Sequence, residues 1–261
     1  MHVERLAAPL GAIVSGLDVA KTNEATWSRL DELFIEHQVL VFPDQEIGPD
    51  EQLAFASWWG PLMRHPYAGM EGRPELIELK NLGKARDHNQ HWHSDMTYEA
   101  APPKLTMLYA REVPLLGGDT AFSSQELVYE DLSDGLRTTL DGLRAVHTAA
   151  AVAEAHGQDG ADAPQAVHPV IRTHDQTGRR SLYVTAMFTQ QFVGWTAAES
   201  APLLAHLWAR STRPEYQARH RWSVGDLVMW DNRCLQHFAV HDHGDEPRTM
   251  HRCQVVGPIP T

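Results

Sequence analysis

The sequence predicts a mainly β fold, an antiparallel double sheet padded by helices. Two observations predict it. The clearest helical stripes lie ahead of Gly60, and behind it the pattern turns to short β-rich runs broken by Gly and Pro. Two further helical patterns interrupt those runs without changing their character.

Taken in order, residues 10–18 alternate small and apolar side chains, as an opening strand would. Residues 26–37 carry Trp27, Leu30, Leu33, Phe34 and Ile35 at helical spacing. The run Gln38-Val39-Leu40-Val41-Phe42 stops at Pro43 and reads as a buried strand. Residues 49–58 form a second helix with Asp50 as its cap. Strands follow at 105–110 and 119–123, on either side of a turn at Leu116-Gly117-Gly118. Helices are expected at 124–132 and 198–211, and further strands at 182–185, 217–222, 227–230 and 249–256. Residues 149–166, rich in Ala, Gly, Asp and Gln, read as a mobile surface loop or lid. With no repeat or long linker, the 261 residues are expected to make a single domain.

Composition narrows the function. A hydrophobic share of 43% and a charged share of 21% are those of an ordinary globular chain. The net charge of −12 argues against a nucleic-acid partner, which calls for a basic face. It leaves room for an anionic small molecule, because a local arginine pair outweighs the global field inside a pocket. Cys234 and Cys253 form neither a CxxC motif nor a disulfide framework, and reduced thiols in the cytoplasm are the expectation. No secretory pattern opens the chain, and no apolar run is long enough to span a membrane.

With 16 histidines in the chain, only spacing and context single any of them out. In extended backbone, side chains at i and i+2 point the same way, so His93 and Asp95 can bind one metal from one segment. With the distant His237 they form a 2-His-1-carboxylate set, suited to Fe(II) and leaving one metal face open. An HxD pair alone is weak evidence, and His243-Gly244-Asp245 is a decoy of the same form. Arg248 and Arg252 lie four apart on an expected strand and can face one side, where a guanidinium fork anchors a carboxylate. Plainer readings stand beside each of these: core histidines, a salt-bridged strand face, Thr120 as a β-former after Gly-Gly, and Asp231 as a turn residue.

The stretches Trp92-His93-Ser94-Asp95-Met96-Thr97-Tyr98, Gly117-Gly118-Asp119-Thr120, Trp230-Asp231-Asn232-Arg233 through His237, and Arg248-Thr249-Met250-His251-Arg252 resemble the taurine dioxygenase (TauD/TfdA-like) family. That family comprises Fe(II)- and 2-oxoglutarate-dependent oxygenases, and weaker similarity runs from about Gly11 to Val256. The resemblance implies a double-stranded β-helix, the jelly-roll or cupin-like core. It implies His93, Asp95 and His237 as iron ligands, with Fe(II), 2-oxoglutarate and O2 as cofactor and cosubstrates. Thr120 and Arg248 would hold the distal carboxylate of 2-oxoglutarate, and Arg252 would lie near its other end and contact an anionic substrate. His65, Tyr67, Asn89, Met96 and Phe188 are the matching substrate-side positions.

The reaction so implied is hydroxylation of a small anionic organic substrate, a sulfonate such as taurine ahead of an aryloxyalkanoate, an alkyl sulfate or a biosynthetic intermediate, with release of succinate and CO2. Self-association is common in the family. Two other classes fit the same residues: a non-catalytic cupin-like protein binding a metal or small acid, and a zinc hydrolase.

Overall fold

The computed structural model describes residues 1–65, 68–81, 91–155 and 157–261. The chain opens with a hairpin, β1 (His2–Arg5) antiparallel to β2 (Ala12–Ser15), where the sequence suggested one strand over 10–18. The break is at Gly11, whose φ is +89° and whose missing Cβ would sit 2.9 Å from Leu6. No other residue makes that turn without strain.

Helix α1 (Glu24–His37) is capped by Asn23, whose Oδ1 accepts the Thr26 N–H, and it buries Leu30, Leu33 and Phe34. Gln38, at φ 65°, ends the helix and feeds the fully buried β3 (Val39–Phe42). Helix α2 (Pro49–Ser57) is capped by Gly48, not Asp50 as expected from sequence. Glu51 accepts the Gly48 N–H at 2.6 Å, and Pro49 fills the first helical position. Asp50 lies within the first turn and forms a two-pronged pair with Arg73.

The later strands complete two facing sheets. The larger runs β1-β2-β3-β13-β5-β15-β4, with β4 (Ile77–Asn81), β5 (Leu105–Glu112), β13 (Leu227–Asp231) and β15 (Arg248–Val255). Opposite stands β12-β6-β14, made of Gln217–His220, Thr120–Ser124 and Leu235–Ala239. Every pairing in both sheets is antiparallel except β2 with β3. Alternation along each strand sorts the core into layers. Leu105, Met107, Tyr109, Cys253 and Val255 face α1 and α2. Leu108, Ala110, Phe122, Val228, Trp230, Leu235 and Met250 fill the space between the sheets. This is a jelly-roll, cupin-like core, as the resemblance implied.

A third apolar layer gathers α3 (Gln125–Glu130), α4 (Asp134–Leu140), α6 (Ala197–Ser211) and two small sheets. One is β11 (Thr189–Phe192), β7 (Arg144–Thr148) and β8 (Gln165–Pro169), and the other β9 (Ile171–Thr173) with β10 (Arg180–Leu182). The expected strand at 182–185 is shorter and earlier, β10 (Arg180–Leu182), because among the described residues it pairs with β9 (Ile171–Thr173) alone, over three residues. Residues 149–166 hold the short helix α5 (Ala150–Ala155), which buries nothing, and a 3-10 turn at Gly160–Asp162. The two ends of that excursion are tied by Ala149 N–H to Pro164 O at 3.0 Å. No helix among the described residues is long and apolar enough to cross a membrane. Cys234 and Cys253 are free and buried.

Candidate metal and cosubstrate site

His237 pairs with Phe122 across β14 and β6, and Ala239 pairs with Thr120. Opposite residues share a sheet face, as do residues two apart, so His237 and Thr120 point with Phe122 into the space between the sheets. The segment carrying His93 is stitched to β14 by two reciprocal backbone bonds, His93 N–H to His237 O at 3.1 Å and His237 N–H to His93 O at 2.8 Å. The two imidazoles consequently lie 4.2 Å apart, centroid to centroid. Asp95, two residues on at the start of a turn, puts its Oδ1 3.7 Å from the Nε2 of both histidines. His93, Asp95 and His237 are all buried, with one donor atom from each within 4.8 Å of the others.

Hydrogen bonds fix which atom of each residue faces the centre. His93 Nδ1 lies 2.7 Å from the carbonyl of His91, so it must donate, and in the neutral ring the lone pair then resides on Nε2. Asp95 Oδ2 accepts the hydroxyl of Thr106 at 2.5 Å. Thr106 in turn accepts from Asn232 Nδ2 at 2.8 Å and Gln254 Nε2 at 3.1 Å. With both lone pairs of that hydroxyl occupied, its one proton is committed to Oδ2, and Oδ1 is the oxygen turned to the two histidines. Strand register builds this arrangement, since Thr106 on β5 lies between Trp230 on β13 and Gln254 on β15. Asn232 is held by Trp230 Nε1, which donates to its Oδ1 at 3.1 Å.

The protonation states suit a divalent cation. Burial alone would raise the Asp95 carboxyl, but His237, Arg252, His93 and the Thr106 hydrogen bond outweigh it and hold it down at about 2. Burial, then the neighbouring His93, pushes His237 down to about 3. An ionised carboxylate oxygen and neutral imidazoles are the state in which these groups ligate a metal. The donor set therefore fits a 2-His-1-carboxylate iron centre.

Thr120 is buried, with its Oγ1 accepting Trp222 Nε1–H at 3.0 Å. The Arg248 guanidinium lies 5.7 Å from the centre of the Trp222 ring. Arg248 and Arg252 bracket Met250 on β15, and Met250 faces the space between the sheets, so both arginines start from that face. A bulge between Thr249 and Met250 shifts the pairing with β5 but leaves this alternation in place. The Arg252 charge is felt by Asp95, His237, His65 and Tyr98, and its Nε is buried without a hydrogen-bond partner.

Phe188 packs edge-on to His93 at 5.9 Å and to Tyr98 at 5.2 Å, which makes it a wall beside the triad. His65 is half-buried, and burial and the Arg252 charge push its imidazole down against an opposing pull from Asp95. Met96 sits in the left-handed region at φ 49° in the turn between Asp95 and Tyr98. Tyr67 and Asn89 lie outside the described residues. The decoy pair His243 and Asp245 stays in a polar turn, with His243 Nδ1 against Glu246 O. Sequence reasoning missed Thr106, Gln254, Trp222 and Tyr98. Tyr98 and Asn232 lie in stretches that carried the resemblance, but neither was given a role, and the Trp-Asp-Asn run was read as a turn.

Comparison with known proteins gives the family. Residues 2–254 match the taurine catabolism dioxygenase TauD, TfdA family, and the chain belongs to it. An alkylsulfatase of Acinetobacter baylyi is 32% identical over 284 residues, covering 100% of this chain and 86% of that protein. A (S)-phenoxypropionate/alpha-ketoglutarate-dioxygenase of Sphingobium herbicidovorans is 33% identical, covering 97% of this chain and 93% of its own. Among solved structures, a taurine dioxygenase from Burkholderia xenovorans superposes with a TM-score of 0.88 at 32% identity, covering 100% of this chain and 90% of that one.

Proposed function

We propose that this chain hydroxylates a small organic anion of the sulfonate or sulfate class, held by Arg252 beside an iron centre on His93, Asp95 and His237. The chain is a 2-oxoglutarate-dependent dioxygenase using Fe(II), 2-oxoglutarate and O2. When bound, the metal with its cosubstrates supplies oxidative decarboxylation to succinate and CO2, coupled to hydroxylation of a substrate C–H bond.

The protein residues bind, orient and exclude water. Asp95 would offer the metal Oδ1, the oxygen turned to both histidines, while Thr106 holds Oδ2 in place. Thr120 and Arg248 take the distal carboxylate of 2-oxoglutarate through a hydroxyl and a guanidinium. Arg252, with its unpartnered buried Nε, takes the anionic end of the substrate, and Phe188 and Tyr98 close the apolar side against water. Tyr67, Asn89 and Met96 join His65 on the substrate side in this reading, and residues 1–261 work as one unit.

The observation that carries the reading is the triad's hydrogen bonding, which leaves Asp95 Oδ1 facing the Nε2 atoms of both histidines at 3.7 Å. The test is succinate formation by Fe(II)-loaded protein with 2-oxoglutarate and O2, across taurine, other sulfonates, alkyl sulfates and phenoxyacids. Stimulation by a sulfonate or alkyl sulfate supports the substrate class, and stimulation by phenoxyacids alone overturns it. In the same assay Arg248→Ala is expected to raise KM for 2-oxoglutarate roughly tenfold to a hundredfold, the worth of a charged hydrogen bond. An unchanged KM would remove Arg248 from the cosubstrate seat.

A further inference from the structure

Thr120 can serve a carboxylate only as a donor, and a free hydroxyl is equally able to turn its lone pairs outward. In this fold that choice is already made. The indole N–H of Trp222 is donor-only, and it points at Thr120 Oγ1 from 3.0 Å in a buried setting. It occupies an acceptor position on that oxygen and turns the Thr120 proton away from the indole. The flat face of the same ring lies under Arg248, 5.7 Å from its guanidinium carbon.

The ring is itself held in place. Trp222 is 4% exposed and lies two residues beyond His220, which pairs with Thr120 across β12 and β6. The His220 ring meets it edge-on at 4.8 Å. His220 Nε2 pairs with Asp226 Oδ2 at 3.0 Å, and that same oxygen accepts the Ser223 N–H at 2.8 Å. The loop that follows β12 is thereby closed through Asp226.

We infer that Trp222 is a positioning residue for the dicarboxylate cosubstrate: its N–H holds Thr120 in the donating orientation while its face supports Arg248. This rests on the assignment of Thr120 and Arg248 to the cosubstrate carboxylate. It predicts that the contribution of Trp222 runs largely through one hydroxyl, which a double-mutant cycle can isolate.

The experiment titrates N-oxalylglycine, a 2-oxoglutarate mimic that keeps both carboxylates, into Mn(II)-loaded protein by calorimetry. Wild type, Trp222→Phe, Thr120→Val and the double variant are compared. Phenylalanine keeps a ring under Arg248 and removes only the N–H and part of the bulk. The expected result is binding weakened about five- to tenfold by Trp222→Phe, and by less than about twofold when Thr120 is already Val. An equal loss in both backgrounds, or none in either, overturns the positioning role while leaving the cosubstrate seat intact. Wild type that fails to bind N-oxalylglycine overturns the seat itself and the inference with it.

Should Trp222→Phe not fold, the indole N–H signals of the wild type give the second reading by NMR. One of the 8 tryptophan signals is expected to move upfield in Thr120→Val and to respond to N-oxalylglycine only when Thr120 is present. If no signal behaves so, Trp222 does not act through Thr120.

Discussion

Among the described residues, two buried clusters bring three metal-binding side chains within 4.8 Å of one another: His93, Asp95 and His237, and also His174, Asp231 and Cys234. Their hydrogen bonding makes them opposites. In the first, His93 donates through Nδ1 and turns Nε2 inward, and Asp95 turns Oδ1 toward the Nε2 atoms of both histidines. In the second, His174 Nδ1 accepts from the backbone N–H groups of Gln176 and Thr177, so its proton resides on Nε2 and goes to Asp231. Both oxygens of Asp231 are also gripped by the Arg233 fork, at 2.8 and 2.6 Å. Burial, then Asp231 and Glu126, pushes the Cys234 thiol well above its usual range, so it stays protonated. Proximity of donors is common to both clusters; in only one of them do two imidazole Nε2 atoms and a carboxylate oxygen converge without an arginine fork closing on the carboxylate.

The sharpest break between the two comes from the carboxylates. Asp95→Ala is expected to abolish both metal binding and succinate formation while leaving the fold intact. Cys234→Ala should leave one metal per chain in a Mn(II) titration. Metal retained by Asp95→Ala, or lost from Cys234→Ala, would reverse the assignment of the two clusters.

Next in size is Asp231→Asn, which takes from the Arg233 guanidinium its buried counter-charge and leaves it only the more exposed Asp175. Urea unfolding should show a loss of about 3–5 kcal/mol, with metal affinity per folded molecule unchanged. A loss within about 1 kcal/mol would mean that Asp231 is not the structural partner described here.

Thr106→Val probes the hydroxyl that holds Asp95 Oδ2 in place. Metal affinity should fall roughly tenfold to a hundredfold, the usual cost of losing a partner behind a ligand. If calorimetry gives the wild-type affinity, the Asn232–Thr106–Gln254 network does not orient the carboxylate.

The smallest expected effect concerns acid stability. Burial, with His168 adding to it, holds His147 down at about 3, against 6.5 for the ordinary imidazole. Below about 6.5 the unfolded chain takes up a proton that the folded chain refuses, so stability falls as pH drops from there toward 3. The slope from this group is at most roughly 1.4 kcal/mol per pH unit. Urea unfolding of metal-free protein between pH 7 and 5 should be correspondingly less steep in His147→Gln, and an identical slope would show that His147 is protonated in the fold.

Much of this was legible in the chain. The i and i+2 placement of His93 and Asp95 survives any backbone that is locally extended, and the stripe of Leu30, Leu33 and Phe34 sets α1 wherever it docks. The Arg248 and Arg252 pair was readable for the same reason, because alternation along a strand is a local rule. Other features depended on neighbours distant in sequence. The Asp50 cap failed because Gly48 and Glu51 closed the helix first, and Asp50 turned to Arg73. Thr106 looked like any strand threonine until β13 and β15 brought Asn232 and Gln254 to its oxygen.

The sequence by itself determined the family, the donor types and the local periodicity that turns each donor inward. Tertiary structure decided which histidine and aspartate hold their charge open and which surrender it to an arginine. That choice depends on hydrogen bonds spanning 57 residues from His174 to Asp231 and 148 from Thr106 to Gln254. Lone pairs are committed by whatever the sheets bring within 3 Å, and no spacing along the chain encodes that.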